Sequence, residues 1–182
     1  MYIFGYGSLI NEASRKMTSH TGDGIPVSVG GLVRQWGKVS GSNISPLVVS
    51  EGDGECNGVL LAINEASLAA FDIRESGYRR IELPADGIRF LNNNVEVEGP
   101  VYAYVGREPE PPCHIQPIVQ SYVDTVLAGC LRYSADFANA FVESTHGWHY
   151  PLINDRENPI YPRMAGVNQD DISWIDRRVH KR

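Results

Sequence analysis

Short apolar runs separated by turn residues fill the first 105 residues of the chain. Runs rich in β-branched and aromatic residues predict strands at 2–6, 24–39, 47–50, 56–63, 78–83, 88–91 and 95–105. The pair Gly30-Gly31 predicts a bulge or sharp bend, a common way of curving a sheet toward a barrel. Asp53-Gly54 and residues 92–94 predict hairpin turns between the strands that flank them.

Helical patterns dominate the chain after a proline-rich segment at 107–112, which we interpret as a stiff linker. Asn11, Asn64 and Ser134 are suitable N-cap residues. Residues 116–133 have apolar side chains over so wide a surface that we expect a helix packed on two sides. The predicted helices cover 11–18, 64–75, 116–133, 134–147 and 170–179.

Many strands followed by helices indicate an α+β fold, and the lack of strand–helix alternation disfavours a Rossmann arrangement. We expect an antiparallel or mixed sheet that closes on itself as a barrel. A chain of 182 residues has the size of one domain. Within it we expect a barrel core over 1–106 and a helical C-terminal extension over 107–182 that packs on the core.

The composition narrows the range of partners. A net charge of −6 argues against nucleic acid and anionic membranes as partners. No apolar run has the length of a membrane span, and the first residues lack a signal-peptide pattern. Three widely spaced cysteines predict free thiols in a reducing compartment. We therefore expect a cytoplasmic protein.

The segment Gly5-Tyr6-Gly7-Ser8-Leu9 directly follows the first predicted strand. Glycines at two alternate positions allow a ligand to approach the main chain closely, so the turn is a candidate cradle of backbone N–H donors. Its spacing does not fit a dinucleotide fingerprint, a P-loop or a nucleophile elbow. It contains no acid or base, so any chemistry must come from elsewhere.

The best candidate for an acid or base is Glu75. Leu68, Phe71 and Glu75 are spaced i, i+3 and i+7, which places them on one helical face that is directed toward the interior. Burial and a position in the last helical turn both raise the pKa expected of this carboxyl, toward the range useful for proton transfer.

The same residues also allow a structural interpretation. Arg74, Arg79 or Arg80 could form a salt bridge with Glu75 at the helix end, and structural ion pairs also perturb carboxylates. From helix geometry alone we weigh the structural and catalytic interpretations equally. Asp72 lies one turn earlier on nearly the same face and is the second candidate.

Two motifs together resemble the gamma-glutamylcyclotransferase-like family. They are the Tyr-Gly-Ser-Leu turn within 4–9 and the segment 71–80, which contains Phe-Asp, Glu75 and Tyr78. Gly31-Leu32-Val33-Arg34 is also similar to the family's Gly-x-x-Arg strand. The match covers roughly residues 1–105, and the helical region from about 113 is not part of the minimal family core.

The resemblance implies a small twisted mixed or antiparallel β-barrel with flanking helices, no cofactor, and an intramolecular aminolysis. The α-amine of a γ-glutamyl amide attacks its own side-chain carbonyl and releases 5-oxoproline with an amine or amino acid. By position, Glu75 matches the catalytic glutamate, and Tyr6, Gly7, Ser8 and Leu9 match the loop that holds the γ-glutamyl group. The resemblance leaves open whether the leaving group comes from glutathione, a γ-glutamyl amino acid or a γ-glutamyl amine.

The loop 154–163 is dense in polar and aromatic residues and contains two prolines. It is expected to dock the C-terminal helices through Tyr161 and a pair between Asp155 and Arg156 or Arg163. Alternatively it forms a wall of the pocket, where Arg156 or Arg163 binds a substrate carboxylate through its planar fork. Further substrate-binding candidates are Arg34, Tyr78 and Tyr104.

Several other features are weaker candidates. His146 and His149 lack a nearby third ligand for a metal. Cys113 lacks an identifiable activating environment for a nucleophile. Two other functions stay open: a binding module that uses the same pocket without turnover, and a hydrolase of a γ-glutamylated metabolite.

Overall fold

The computed structural model describes residues 1–17, 22–75, 77–92, 97–106 and 109–179. Its strands are β1 (Tyr2–Gly5), β2 (Ile25–Trp36), β3 (Leu47–Ala62), β4 (Arg79–Glu82), β5 (Ile88–Phe90), β6 (Val101–Val105), β7 (Ile118–Val119), β8 (Thr145–His146) and β9 (Leu152–Ile153). Its α-helices are α1 (Glu12–Lys16), α2 (Glu65–Arg74), α3 (Gln120–Leu131), α4 (Ala135–Ser144) and α5 (Gln169–Val179). Single 3-10 turns span Ser8–Ile10 and Ala85–Gly87.

The main sheet is mixed and runs in the order β4-β6-β1-β3-β2-β5, with β8 paired to β2. β1 is parallel to β6, and β8 is parallel to β2, whereas the other ladders of this sheet are antiparallel. The α+β class is therefore confirmed. The prediction of a closed barrel is wrong, because no ladder joins the short end strands β4 and β5 in the described part of the chain.

β2 and β3 form one long hairpin across the middle of the sheet. Their ladder runs from Ile25 opposite Leu60 to Trp36 opposite Leu47, with the predicted bulge between Gly30 and Leu32. Gly31 has a φ of +80°, which glycine adopts without strain. The hairpin predicted around Asp53-Gly54 is wrong, because both residues lie within the single strand β3, between Glu51 and Glu55, where the register with β2 shifts.

The second predicted hairpin is also wrong. β5 pairs with β2, whereas β6 pairs with β1 and β4. The two strands that were expected to be neighbours thus lie at different places in the sheet. Part of the predicted turn, residues 93–96, lies outside the described residues.

The predicted helix caps are confirmed. The side chains of Asn11, Asn64 and Ser134 each accept a hydrogen bond from the backbone N–H three residues later. α3 is buried along its whole length from Gln120 to Cys130, more completely than a helix packed on two sides requires.

The described helices include none that is long and apolar enough to cross a membrane. Cys56, Cys113 and Cys130 are free thiols, as predicted, and two of them are buried. The extension contributes β8 to the main sheet and most of one large hydrophobic cluster. A division of the chain at residue 106 stays a prediction.

Candidate active site

A cavity of about 390 Å³ lies where the end of β1, the end of α2 and the C-terminal extension meet. This volume is within the range of small-molecule sites. The core contributes the turn 6–9, Ile3, Phe4, Phe71, Glu75, Tyr78 and Tyr104; the β2–β3 connection contributes Val39, Ser42, Ile44, Pro46 and Leu47; the extension contributes Tyr122, Tyr161 and Arg163.

The glycine turn and the residues after it pack against the C-terminal extension. The Ile10 N–H donates to the Gly7 carbonyl at 3.0 Å, which closes one 3-10 turn. A Cβ atom at Gly7 would lie only 2.8 Å from the Tyr122 hydroxyl oxygen, so glycine allows the turn to pack directly on α3. The buried Asn11 side chain donates to the carbonyls of Thr125 (2.8 Å) and Ala165 (2.9 Å).

Glu75 is the residue directly after α2, and its N–H donates to the Phe71 carbonyl at 2.8 Å. Its side chain is half-buried and lines the cavity beside Phe71, so the helical spacing correctly predicted an inward position. The Tyr78 N–H donates to the Glu75 carbonyl at 2.8 Å, which links the helix end to β4.

Two of the three expected arginine partners of Glu75 pair with other carboxylates. Arg79 forms an ion pair with Glu51, and Arg80 forms one with Asp72. The side chain of Arg74 lies outside the described residues. The structure therefore gives the salt-bridge interpretation no support from Arg79 or Arg80.

Asp72 has a different role from that of a second acid or base. It is not among the residues that line the cavity. Its carboxylate accepts a hydrogen bond from the Tyr104 hydroxyl at 2.8 Å and pairs with Arg80. These contacts, which we call the Asp72 clamp, attach the last turn of α2 to β6 and β4.

Tyrosine side chains line the part of the cavity near Glu75. The Tyr6 hydroxyl donates to the Tyr104 carbonyl at 2.8 Å. Burial raises the pKa of Tyr6 well above its ordinary value, and Tyr78 and Glu75 raise it further. Burial, followed by the nearby Glu75, also raises the pKa of Tyr78. Both phenols therefore stay protonated, and both lie within electrostatic reach of Glu75.

The extension wall, which we define as Tyr122, Tyr161 and Arg163, was only partly predicted. Tyr122 and Tyr161 pack edge to face with ring centroids 4.9 Å apart. The Arg163 Nε–H donates to the Tyr161 hydroxyl at 3.2 Å, and its Cζ lies 5.2 Å from that ring. Tyr161 thus docks the loop, as predicted, and the same loop forms part of the pocket wall.

The pairs predicted for Asp155 are wrong. Its carboxylate accepts hydrogen bonds from the Ser121 N–H and hydroxyl and from the Ile160 N–H, because the loop closes over the start of α3. Arg156 instead pairs with the fully buried Asp124 at 2.7 Å and with Asp176 at 2.8 Å.

Arg34 and Arg156 lie apart from the cavity, in contrast to the other predicted site residues. Arg34 is 0% exposed, and its guanidinium carbon lies 3.5 Å from the centroid of the Phe141 ring. It donates to oxygens of Asn57, Phe141, Ser144 and Thr145, so its donors join β2 and β3 to α4. A substrate in this cavity has no access to that guanidinium.

The cavity does bring together Tyr6, Gly7, Ser8, Leu9, Glu75, Tyr78, Tyr104 and Arg163. Sequence reasoning missed the contributions of Tyr122 and residues 39–47, since both read as core or connection. The described residues contain no group of three or more His, Cys, Asp or Glu side chains that could hold a metal.

Solved structures of other proteins share this fold at low sequence identity. One described as a gamma-glutamyl cyclotransferase has 16% identity and a TM-score of 0.58, over 97% of this chain and 98% of that chain. YkqA from Bacillus subtilis has 19% identity and a TM-score of 0.60, over 84% of this chain and 56% of its own. The uncharacterized protein loc79017 from Homo sapiens has 16% identity and a TM-score of 0.56, over 96% and 97% of the two chains.

The sequence itself carries the family assignment. No curated protein sequence matches the chain significantly. The model of the family described as "Gamma-glutamyl cyclotransferase, AIG2-like" matches residues 3–121, nearly two thirds of the chain, and includes both the glycine turn and Glu75. The chain therefore belongs to the AIG2-like gamma-glutamyl cyclotransferase family.

Proposed function

We propose that this protein cleaves a γ-glutamyl amide by intramolecular aminolysis, with Glu75 as the general acid and base. The observation that carries the proposal is the cavity itself, which places Glu75 beside the glycine turn 6–9. Family membership supports a gamma-glutamyl cyclotransferase-like activity. The residues of the cavity suggest how such a reaction proceeds.

The reaction needs one proton shuttle and no protein nucleophile. Glu75 takes a proton from the substrate α-ammonium, and the freed amine nitrogen bonds to the γ-glutamyl carbonyl carbon. The bond from this carbon to the leaving nitrogen then breaks as Glu75 returns the proton to that nitrogen. The new ring nitrogen loses one proton and the released amine gains one, so no net proton is consumed. Such acid–base catalysis typically contributes about 10²- to 10⁴-fold.

The glycine turn would hold the γ-glutamyl chain in the folded pose that ring closure requires. Orientation of this kind contributes up to about 7–11 kcal/mol in favourable intramolecular reactions. Backbone N–H groups of the turn would also stabilise the oxyanion, where one donor is typically worth about 3 kcal/mol. The protonated Tyr78 lines the cavity near Glu75 and provides a further polar contact for the substrate.

Substitution of Glu75 by Gln tests the proposal, because it keeps the side-chain shape and removes the base. We expect 5-oxoproline release from the best γ-glutamyl substrate to fall by about 10²- to 10⁴-fold in kcat. The matched control is Glu157→Gln, which changes an exposed carboxylate that does not line the cavity. Circular dichroism and the melting temperature verify that both variants fold.

Product analysis separates the competing functions. Release of 5-oxoproline at the wild-type rate by Glu75→Gln would contradict the proposed role of this carboxylate. Free glutamate as the product would indicate a hydrolase. Saturable binding of γ-glutamyl compounds without any product from the wild-type protein would indicate a binding module.

A further inference from the structure

Among the described residues that line the cavity, Glu75 is the one carboxylic acid and Arg163 the one basic side chain. They belong to different parts of the hydrophobic interior. Glu75 follows Phe71, which clusters with Ile3 and Tyr104. Arg163 rests on Tyr161, which belongs to a separate cluster with Tyr122 and Ile44. The cavity thus has an acidic side in the core and a basic side in the extension.

Arg163 has no carboxylate partner in the part of the chain that the structure describes. No carboxylate of the described residues forms an ion pair with it, in contrast to Arg156, which pairs with Asp124 and Asp176. Its Nε is directed to the Tyr161 hydroxyl, and its two terminal nitrogens donate to no acceptor in the described chain. A planar fork held by one edge presents the other edge to a carboxylate.

The geometry of the substrate decides which carboxylate can reach this side. The α-amine that Glu75 must deprotonate and the glutamyl α-carboxylate are attached to the same carbon atom. The α-carboxylate therefore stays close to the amine that Glu75 deprotonates. The leaving nitrogen also lies near Glu75 in the folded pose, because Glu75 returns the proton to it. The substituents beyond that nitrogen are the ones that extend away from Glu75 toward the extension wall.

We propose that Arg163 binds a carboxylate of the leaving group and thereby selects γ-glutamyl amino acids or peptides over γ-glutamyl amines. This inference rests on the proposed function. A leaving group with a second ammonium would instead meet the charge of Arg163 with no compensating carboxylate on that wall. The neighbouring Val39, Ile44 and Pro46 offer apolar contacts to the body of the leaving group.

A matched pair of substrates tests this selectivity. γ-Glutamyl-alanine and γ-glutamyl-ethylamide differ only by the leaving-group carboxylate. Each is assayed for 5-oxoproline release with the wild-type protein, Arg163→Gln and Arg163→Lys. The control is Arg177→Gln, which removes an exposed arginine on α5 that does not line the cavity.

For γ-glutamyl-alanine we expect Arg163→Gln to lower kcat/KM by about 10- to 100-fold, mainly through KM, as for loss of a charge-assisted hydrogen bond. For γ-glutamyl-ethylamide the change should stay within about twofold, since no interaction is removed. Arg163→Lys should recover part of the loss, because it restores the charge without the fork. Comparing the effect of Arg163→Gln on γ-glutamyl-alanine and on γ-glutamyl-alanyl-glycine shows whether Arg163 binds the carboxylate of an amino acid or of a dipeptide leaving group.

Two results would overturn the inference. An equal loss for both substrates means that Arg163 binds the glutamyl α-carboxylate or supports the fold. If Arg163→Gln lowers kcat/KM for neither γ-glutamyl-alanine nor γ-glutamyl-alanyl-glycine, Arg163 binds the leaving-group carboxylate of neither substrate. Calorimetric binding of both substrates to Glu75→Gln, with and without Arg163→Gln, separates recognition from turnover. If the wild-type protein forms no 5-oxoproline yet Arg163→Gln weakens only the binding of γ-glutamyl-alanine, the proposed function fails and the carboxylate site stands.

Discussion

The two walls of the cavity are built on different principles. In the core wall, polar contacts link neighbouring elements: the Tyr6 hydroxyl donates to the Tyr104 main-chain carbonyl, the Tyr104 hydroxyl donates to Asp72, and Asp72 pairs with Arg80. In the extension wall, the aromatic rings of Tyr122 and Tyr161 provide the support, and a single cation, Arg163, projects from it. The core wall is therefore a hydrogen-bonded frame next to Glu75, while the extension wall presents a guanidinium group to the cavity.

This difference suggests that the core wall serves proton transfer and the extension wall serves recognition of the leaving group. A proton-transfer group must be positioned within a few tenths of an ångström, which a hydrogen-bonded frame achieves. Recognition of a variable leaving group needs charge and contact area and less rigid positioning. The family match ends at residue 121, so Tyr161 and Arg163 lie beyond the matched region. Selectivity would then reside in the part of the chain that the family model does not cover.

The largest effect on stability is expected from Arg156→Gln. It removes the partner of Asp124, which is fully buried. An uncompensated buried charge typically costs about 3–5 kcal/mol, and we expect this decrease in the free energy of unfolding by urea. Because Arg156 lies outside the cavity, the preference for γ-glutamyl-alanine over the ethylamide should persist.

Arg177→Gln is again the control and should change stability by less than about 0.5 kcal/mol. A change of substrate preference in Arg156→Gln that matches that of Arg163→Gln would remove the distinction between a structural and a recognition arginine. A stability loss as small as that of the control would contradict the buried-pair argument.

An intermediate effect is expected from Gly7→Ala, which tests the contact between the two walls. The added methyl would lie 2.8 Å from the Tyr122 hydroxyl oxygen, and overpacking of this kind costs about 1–3 kcal/mol. In a Tyr122→Phe background that oxygen is absent, so the additional loss should be much smaller. Urea denaturation of the four proteins of this double-mutant cycle measures the coupling.

Gly22→Ala is the matched control, since a Cβ there would meet no atom of the described residues within 4 Å. It should give the same small change in both backgrounds. Additive effects of Gly7→Ala and Tyr122→Phe would mean that the turn does not rest on this hydroxyl.

The smallest effect on stability is expected from Asp72→Asn, which breaks the ion pair of the Asp72 clamp. The pair is partly exposed, so its loss should cost at most about 1 kcal/mol. Turnover should be more sensitive, with kcat reduced and KM nearly unchanged, because the clamp positions the helix end that carries Glu75. Steady-state kinetics and thermal unfolding measure the two quantities.

Glu51→Gln breaks a more exposed ion pair, with Arg79, that lies outside the cavity. It should match the stability change of Asp72→Asn and leave kcat unaffected. If the two variants had the same kcat, the Asp72 clamp would be no more than a surface salt bridge.

Local signals in the sequence predicted the elements well. The caps at Asn11, Asn64 and Ser134 depend on contacts between residues three apart, and all three are confirmed. The inward position of Glu75 followed from helical spacing with Phe71 for the same reason. The bulge at Gly30-Gly31 was likewise visible as a local pattern.

Strand partners were less predictable. Asp53-Gly54 is suitable for a turn, yet it is equally compatible with an irregular stretch inside one long strand, and in β3 it lies where the register with β2 shifts. The choice between the two depends on where β2 lies, which is a long-range property. The open sheet in place of a barrel has the same origin, since closure depends on pairing between β4 and β5, which lie at opposite ends of the strand order.

By itself, the sequence determined the class of the fold, the glycine turn, and a carboxylate aimed inward at a helix end, because each depends on neighbours within one or two turns of chain. Only the tertiary structure decided which of three candidate arginines faces the cavity. Arg34 is enclosed by neutral acceptors, Arg156 is paired with carboxylates, and Arg163 alone among them lines the pocket. Their side chains are chemically identical, so the difference arises entirely from groups distant in sequence that the fold brings beside each one.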